Sequence, residues 1–402
     1  MPDSDPTPPS RSPERPHDYP IRTSAATPSL GSILRERIAQ EGPLRFSDFM
    51  TTALYHPGLG YYACQPRQIG RAGDFFTSVS VGSLFGQLLA RRFLREWNDR
   101  SQPAQWRIIE CGAHDGKLAS DVLTAIETAD PRAFAALEYA IPEPLPALLA
   151  AQQETLLRFE ERVRFVSHPG ELAAHPLPGI AYGNELLDAL PFHVVEWCQG
   201  AWLECRVALG PDGCFFWHTA AITDPGLIEF LSPLGSDFPE GYRTEVRTGY
   251  RAFLEPLTRA LDAGLVLWID YGFARPEYYH PDRSAGTLRT FSRHCAGEDP
   301  LARPGETDIT AHVDFTALAE AAIALGGHPM SFQNQGSWLL ENGRDWLLEQ
   351  EGSPQAPALR QFQTLAHPAH MGARFHVIEL SWHPAATPKD PAALAHRLFG
   401  TM

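Results

Sequence analysis

The chain lacks any stretch of clustered lysine and arginine, and its formal charge is −15. A nucleic-acid groove needs such clusters to neutralise phosphates, so DNA and RNA fall away as partners. Cysteine is sparse: Cys64, Cys111, Cys198, Cys205, Cys214 and Cys295 are scattered with no C-x-x-C pair and no histidine at zinc-ligand spacing. Neither a disulfide scaffold nor a metal site is indicated. No run approaches the roughly 18 consecutive apolar residues of a membrane helix, and the N-terminus has no apolar signal core. The expectation is a cytoplasmic protein with no membrane partner. Residues 1–30 carry eight prolines together with Asp3, Asp5, Glu14 and Asp18. That is too acidic for a mitochondrial transit peptide and reads as a disordered arm. No internal repeat is present.

What the chain does have is the segment Trp106 to Leu123. Ile108 and Ile109 supply a β-branched strand, Gly112 and Gly116 bracket a turn, and Leu118, Val122 and Leu123 recur at helical spacing. Strand, glycine turn and helix N-terminus in that order make a cradle for a nucleotide-type cofactor. A dinucleotide template, G-x-G-x-x-G, started at Gly112 meets His114 and Lys117 where its other glycines belong, so it fails twice. The acid-x-Gly-x-Gly-x-Gly pattern of S-adenosylmethionine sites is met by Glu110, Gly112 and Gly116, with His114 in the middle place. Such a donor has no pyrophosphate; it needs close backbone approach along Gly112, Ala113 and Gly116 and an acid, Glu110, near its ammonium. A plain turn closing a Rossmann-like unit fits the same residues, so the rest of the chain has to decide.

Strands expected at Glu138 to Ile141, Val163 to Val166, Ile180 to Tyr182 and Gly264 to Asp270 alternate with helical sequence such as Leu145 to Phe159, which predicts a parallel α/β sheet. Ahead of it lie two short helices between Gly31 and Phe49, a packed loop from Ala53 to Tyr62, and an amphipathic helix from Gly82 to Trp97. Val194 to Cys198, Trp202 to Ala208 and Cys214 to His218, joined by turn sequences, predict an inserted β-meander. Helices are expected from Thr244 to Ala263 and near Phe315 to Leu325, and a last strand from Phe375 to Trp382. The division that follows is 1–30 arm, 31–100 cap, 101–191 donor-binding half, 192–262 meander and helices, 263–385 remainder of the sheet and 386–402 tail.

In open α/β sheets ligands lie beyond the carboxyl ends of the strands, and four such ends carry polar residues here. The first is the glycine turn. At the second, Glu143 could accept two ribose hydroxyls. The fourth reads Gly183-Asn184-Glu185-Leu186-Leu187-Asp188-Ala189-Leu190-Pro191. Glu185 and Asp188 at i and i+3 would share a helical face, hold a guanidinium in a fork and accept the proton released on transfer. Equally, Asn184 could be a helix N-cap with acids in the first turn. At the fifth end Asp270-Tyr271-Gly272 closes a buried strand, with Arg293-His294 and His312 in polar sequence further on.

Taken together, the motifs resemble the MidA family of S-adenosylmethionine-dependent methyltransferases, which includes a mitochondrial arginine methyltransferase assisting respiratory complex I assembly. The resemblance runs from about Ile38 to Leu380 and is carried by Tyr55-His56-Pro57, Gly60-Tyr61-Tyr62, Gly73-Asp74-Phe75-Phe76-Thr77-Ser78, Phe85-Gly86, Glu110 to Leu123, Asn184 to Pro191, Ile269 to Gly272, Asp308 to Phe315 and Met371 to Phe375. It implies a Rossmann-like, seven-stranded class I methyltransferase sheet with an N-terminal helical cap and the inserted meander. It also implies S-adenosyl-L-methionine held by Gly112, Gly116 and Glu143, with Thr77 and Ser78 on the cofactor side. Asn184, Glu185 and Asp188 would be catalytic, Asp270, Tyr271 and His312 near the substrate, and the substrate itself a protein arginine. Where the family has Pro-Glu after Thr77-Ser78 this chain has Val79-Ser80; an acid after Phe85-Gly86 is Gln87, and a serine beyond Glu143 is Leu145. Those departures and His114 leave a second reading, a noncatalytic assembly factor that keeps the fold as a binding platform.

Overall fold

The computed structural model describes residues 29–64, 77–292, 295–297, 299–352, 355–382 and 387–400. Most of the expected arm, Gly73 to Phe76 and Arg293-His294 lie outside the described residues. Helix α1 (Leu30–Glu41) starts on Ser29, whose side chain accepts from the Ser32 N–H, and α2 (Phe46–Tyr55) follows. Ala53 and Leu54, expected in a loop, finish α2 because both are fully buried, and Tyr61–Cys64 forms a further helical turn. Helix α3 (Leu84–Asp99) then leads into the sheet, and α4 (Lys117–Ala129) leaves the glycine turn.

Seven strands form the continuous path: β1 (Trp106–Cys111), β2 (Leu137–Pro142), β3 (Val163–Val166), β4 (Leu177–Asn184), β5 (Leu261–Phe273), β6 (His328–Asn334) and β7 (Phe375–Trp382). Their order is β6-β7-β5-β4-β1-β2-β3, and the two-residue strand Val313–Asp314 pairs with β5. Only β7 runs against the others. From β1 the chain steps outward first to β2 and β3, then returns to β4 on the opposite side. The crevice created by that reversal lies at the carboxyl ends of β1 and β4, where the motifs sit.

Period-2 alternation fills both faces. Trp106 and Ile108 of β1 pack with α3 and α4, whereas Ile109 and Cys111 pack with helices on the other side. Those are α5 (Tyr250–Ala260), α6 (Phe315–Ala324) and α7 (Pro391–Phe399), the last bringing Leu394 and Leu398 of the chain's final segment into the core.

The meander is larger than its sequence suggests. His193–Cys198, Ala201–Leu209 and Phe215–Ala221 are joined by Leu44–Arg45 from the cap and by Arg243–Val246, making five strands. The helix expected from Thr244 therefore begins only at Tyr250: Thr244 and Val246 are β-branched, and the Glu245 carboxylate is buried against Thr287 and Leu288. Strand β6 escaped the sequence reading because, as an edge strand, it buries only Phe332 and shows no apolar alternation. Phe46, Phe49, Phe192, Val194 and Val207 form a separate core that glues cap to meander over the sheet's carboxyl edge.

Candidate active site

On the donor side, the turn after β1 is left-handed at three residues: Gly112 at φ 72°, His114 at φ 48° and Gly116 at φ 81°. Histidine enters that region at modest cost, so the turn keeps its shape without the middle glycine. The imidazole lies toward exposed Asp115, with Nδ1 3.7 Å from Oδ1. A Cβ on Gly112 would stand 2.9 Å from Leu186 Cδ1. Ala113 is buried and contributes its carbonyl to the Gly116 N–H at 2.8 Å.

Glu110 is not an open acid. It is 2% exposed, its carboxyl accepts from the Tyr139 hydroxyl at 2.5 Å, and that hydroxyl in turn meets Tyr182 Oη at 2.6 Å. Burial raises its pKa to about 7, against the pull of those tyrosine bonds. The expected partnership with a ligand ammonium gives way to an anchor beneath the turn. Glu143 sits at the end of β2, accepts the Leu145 N–H at 2.9 Å, and has its pKa raised by burial.

On the acceptor side the local geometry is not a helix N-terminus. Asn184 is the last residue of β4, Glu185 is held at φ 53°, and only Leu187–Ala189 makes one 3₁₀ turn. A left-handed glutamate is strained, and such strain persists where surrounding contacts enforce it. The amides that Asn184 would have capped go instead to Asp270: Oδ2 accepts from Leu186 at 3.0 Å, Leu187 at 2.7 Å and Asp188 at 3.2 Å, while Oδ1 accepts from Tyr271 at 2.8 Å. Asp270, expected to contact substrate, is therefore fully buried and employed by the backbone. Burial and the nearby Asp188 charge raise its pKa, and the amide bonds, made to the ionised form, oppose that rise.

Of Thr77 and Ser78, both expected on the cofactor side, Ser78 bonds Glu185 and Thr77 does not. Glu185 Oε1 accepts from the Ser78 N–H at 3.2 Å and from Asn184 Nδ2 at 2.9 Å, whereas Thr77 caps its own short helix through Ser80. Ser78 is fixed by its hydroxyl bond to Gln335 at 3.2 Å. Both bonds fall on Oε1; among the described residues nothing bonds Oε2. Burial, the largest cause, pushes the Glu185 carboxyl up to about 8. Burial also raises Asp188, against the attraction of Arg247.

Several residues here escaped the sequence reading. The Arg247 guanidinium donates to the carbonyls of Leu190, His312, Asp188 and Ala311, locking the acceptor loop to the segment before α6. Tyr55 donates to the Ala189 carbonyl at 2.9 Å, and Tyr62 to Asp308 Oδ1 at 3.0 Å. Arg247 stands just after the strand Arg243–Val246 and the cap tyrosines are distant in sequence, so neither gives a local signal of the site. Tyr271 is half-buried and stacks on His312, rings 6.3 Å apart. Burial lowers His312 to about 4, so its imidazole is neutral at pH 7.

Residues 88–332 match the model of a family of S-adenosyl-L-methionine-dependent methyltransferases. The chain belongs to this family. A Burkholderia thailandensis protein of known structure, bound to S-adenosyl-homocysteine, is 34% identical, with a TM-score of 0.79 over 89% of this chain and 93% of that one. The Drosophila melanogaster mitochondrial protein arginine methyltransferase NDUFAF7 homolog is 26% identical over 91% of this chain and 89% of its own length. The human mitochondrial protein arginine methyltransferase NDUFAF7 is 25% identical over 89% and 84%. The methyltransferase's cofactor is S-adenosyl-L-methionine, and the turn fits it: Gly112 offers bare, exposed backbone at the end of β1, and the left-handed residues 112, 114 and 116 carry the chain into α4, the strand–turn–helix cradle such a donor takes.

Proposed function

We propose that this methyltransferase modifies an arginine nitrogen of a protein substrate. The observation that carries the reading is Glu185, held in a left-handed backbone with one carboxyl oxygen gripped by Ser78 and Asn184 and the other left for a ligand. Asp188 and the half-buried Tyr271 lie close enough to Glu185 for their charges to interact. Carboxylates with an aromatic wall suit a planar cation, and the relatives named as protein arginine methyltransferases support the same acceptor.

When bound, S-adenosyl-L-methionine would supply an electrophilic methyl group, the S–CH3 bond breaking with its electron pair to sulfur and neutral S-adenosyl-L-homocysteine as the leaving group. Glu185 and Asp188 hold the guanidinium so that one nitrogen lone pair lies in line with that carbon. The proton lost from the methylated nitrogen passes to a carboxylate, and the remaining rate comes from orientation in a site covered by the cap. Incubating the protein and a cell lysate with methyl-labelled donor, then hydrolysing the labelled protein, is expected to yield methylarginine. Label on lysine, on a carboxyl ester or only on small molecules would overturn the acceptor assignment.

Gly112→Ala tests the donor side. Left-handed strain plus displacement of Leu186 should cost about 1–2 kcal/mol of stability, and because the turn and Leu186 shift, S-adenosyl-L-homocysteine binding by calorimetry should weaken separately, on the order of tenfold. Unchanged affinity would mean the donor does not approach this turn.

A further inference from the structure

Gln152 lies on the helix Pro146–Thr155 and is fully buried. Its Nε2 donates to the His114 carbonyl at 3.0 Å and to Glu143 Oε2 at 2.8 Å, and its Oε1 has no partner among the described residues. Two acceptors on one nitrogen fix which way the amide faces, since the reversed group would set its oxygen against a carbonyl and a carboxylate. The same helix presses on the glycine turn. A Cβ at Gly116 would stand 3.4 Å from Gln152 Cα and 3.3 Å from Leu156 Cδ1. Leu145, the residue before this helix, directs its N–H to the other Glu143 oxygen. Both oxygens of Glu143 are thus oriented from this one helix, and the turn is tied to Glu143 through one side chain.

We propose that Gln152 is a positioning residue of the methyl-donor site: it fixes Glu143 relative to the glycine turn, and its unpaired Oε1 gains a hydrogen bond from a hydroxyl or amino group of the bound donor. A buried acceptor without a partner is destabilising, so a ligand that supplies the missing hydrogen binds better for it. The proposal rests on the reading that Glu143 meets the donor's ribose hydroxyls. It extends that reading to the residue that aims the carboxylate.

The test is calorimetric titration of the full chain with S-adenosyl-L-homocysteine. Gln152→Met keeps the volume and removes both functions of the amide. Its Kd is expected to rise about tenfold or more, and the KM for donor to rise with it while kcat changes less; the ligand-free protein melts lower, having lost the amide's two buried hydrogen bonds. Gln152→Glu sets a second carboxylate against Glu143. The two can share one proton at pH 6 but repel at pH 8, so affinity should fall across that interval more steeply than in wild type. His114 is the other titratable group beside Glu143, and wild type measured at the same pH values accounts for it. Should the Met variant fail to fold, the Glu variant carries the test through its pH dependence. A Met variant with wild-type Kd, or a Glu variant with the wild-type pH profile, overturns the proposal. Wild type that does not bind overturns the donor-site reading beneath it.

Discussion

Glu185→Gln is expected to lower methyl transfer on the order of a hundredfold or more while binding S-adenosyl-L-homocysteine within about twofold of wild type. The two effects separate because the Glu185 carboxyl is tied to Ser78 and Asn184 and, among the described residues, bonds none of the glycine turn. Gln can still accept those two bonds, so the pocket keeps its shape and loses only the charge. A pH signature accompanies the loss. With the carboxyl pushed up to about 8 in the free protein, wild-type kcat/KM should rise with pH as Glu185 ionises, and that limb should vanish in the variant. Stability moves the opposite way. A carboxyl whose folded pKa is raised contributes stability below its unfolded value of about 4.3, and this is lost as pH climbs through about 8. The Gln variant escapes that loss and should be about 2–4 kcal/mol more stable than wild type at pH 9, with little difference at pH 4. Donor binding that disappears with transfer would move Glu185 to the cofactor side.

What could be read from sequence follows the range of the interactions involved. Strands β1 to β5 and β7 are legible because apolar residues repeat locally, and the turn at Gly112 and Gly116 is legible because left-handed angles demand glycine. Residues 244–246 read as the start of a helix because what makes them a strand lies elsewhere, in their pairing with His193–Cys198. The same limit governs the site. Spacing placed Glu185 and Asp188 together but on a helix; the structure brings them together through a strained residue and a 3₁₀ turn whose amides are capped by Asp270, more than 80 residues away by the 82-residue separation of its nearest partner. Side chains that fix the site from a distance, Gln152, Arg247 and Gln335, resemble ordinary polar residues until the fold assembles around them.

Asp270→Asn carries the other large expectation: about 2–4 kcal/mol of stability lost, with donor binding and transfer falling together. No single orientation of an amide can replace this carboxylate. With its oxygen toward Leu186, Leu187 and Asp188, its NH₂ opposes the Tyr271 N–H; reversed, it opposes three donors. The consequence reaches both halves of the site. Leu186 is the residue that closes against Gly112, and the Asp188 carbonyl receives the Ala311 N–H at 3.1 Å as well as the Arg247 guanidinium. Releasing the loop therefore loosens the donor turn and the acceptor acids at once, whereas Glu185→Gln touches only the acids. Chemical denaturation and calorimetry on the two variants distinguish these roles. Wild-type stability and donor affinity in Asp270→Asn would show that the loop holds its shape without the carboxylate, with Arg247 sufficient to fix it.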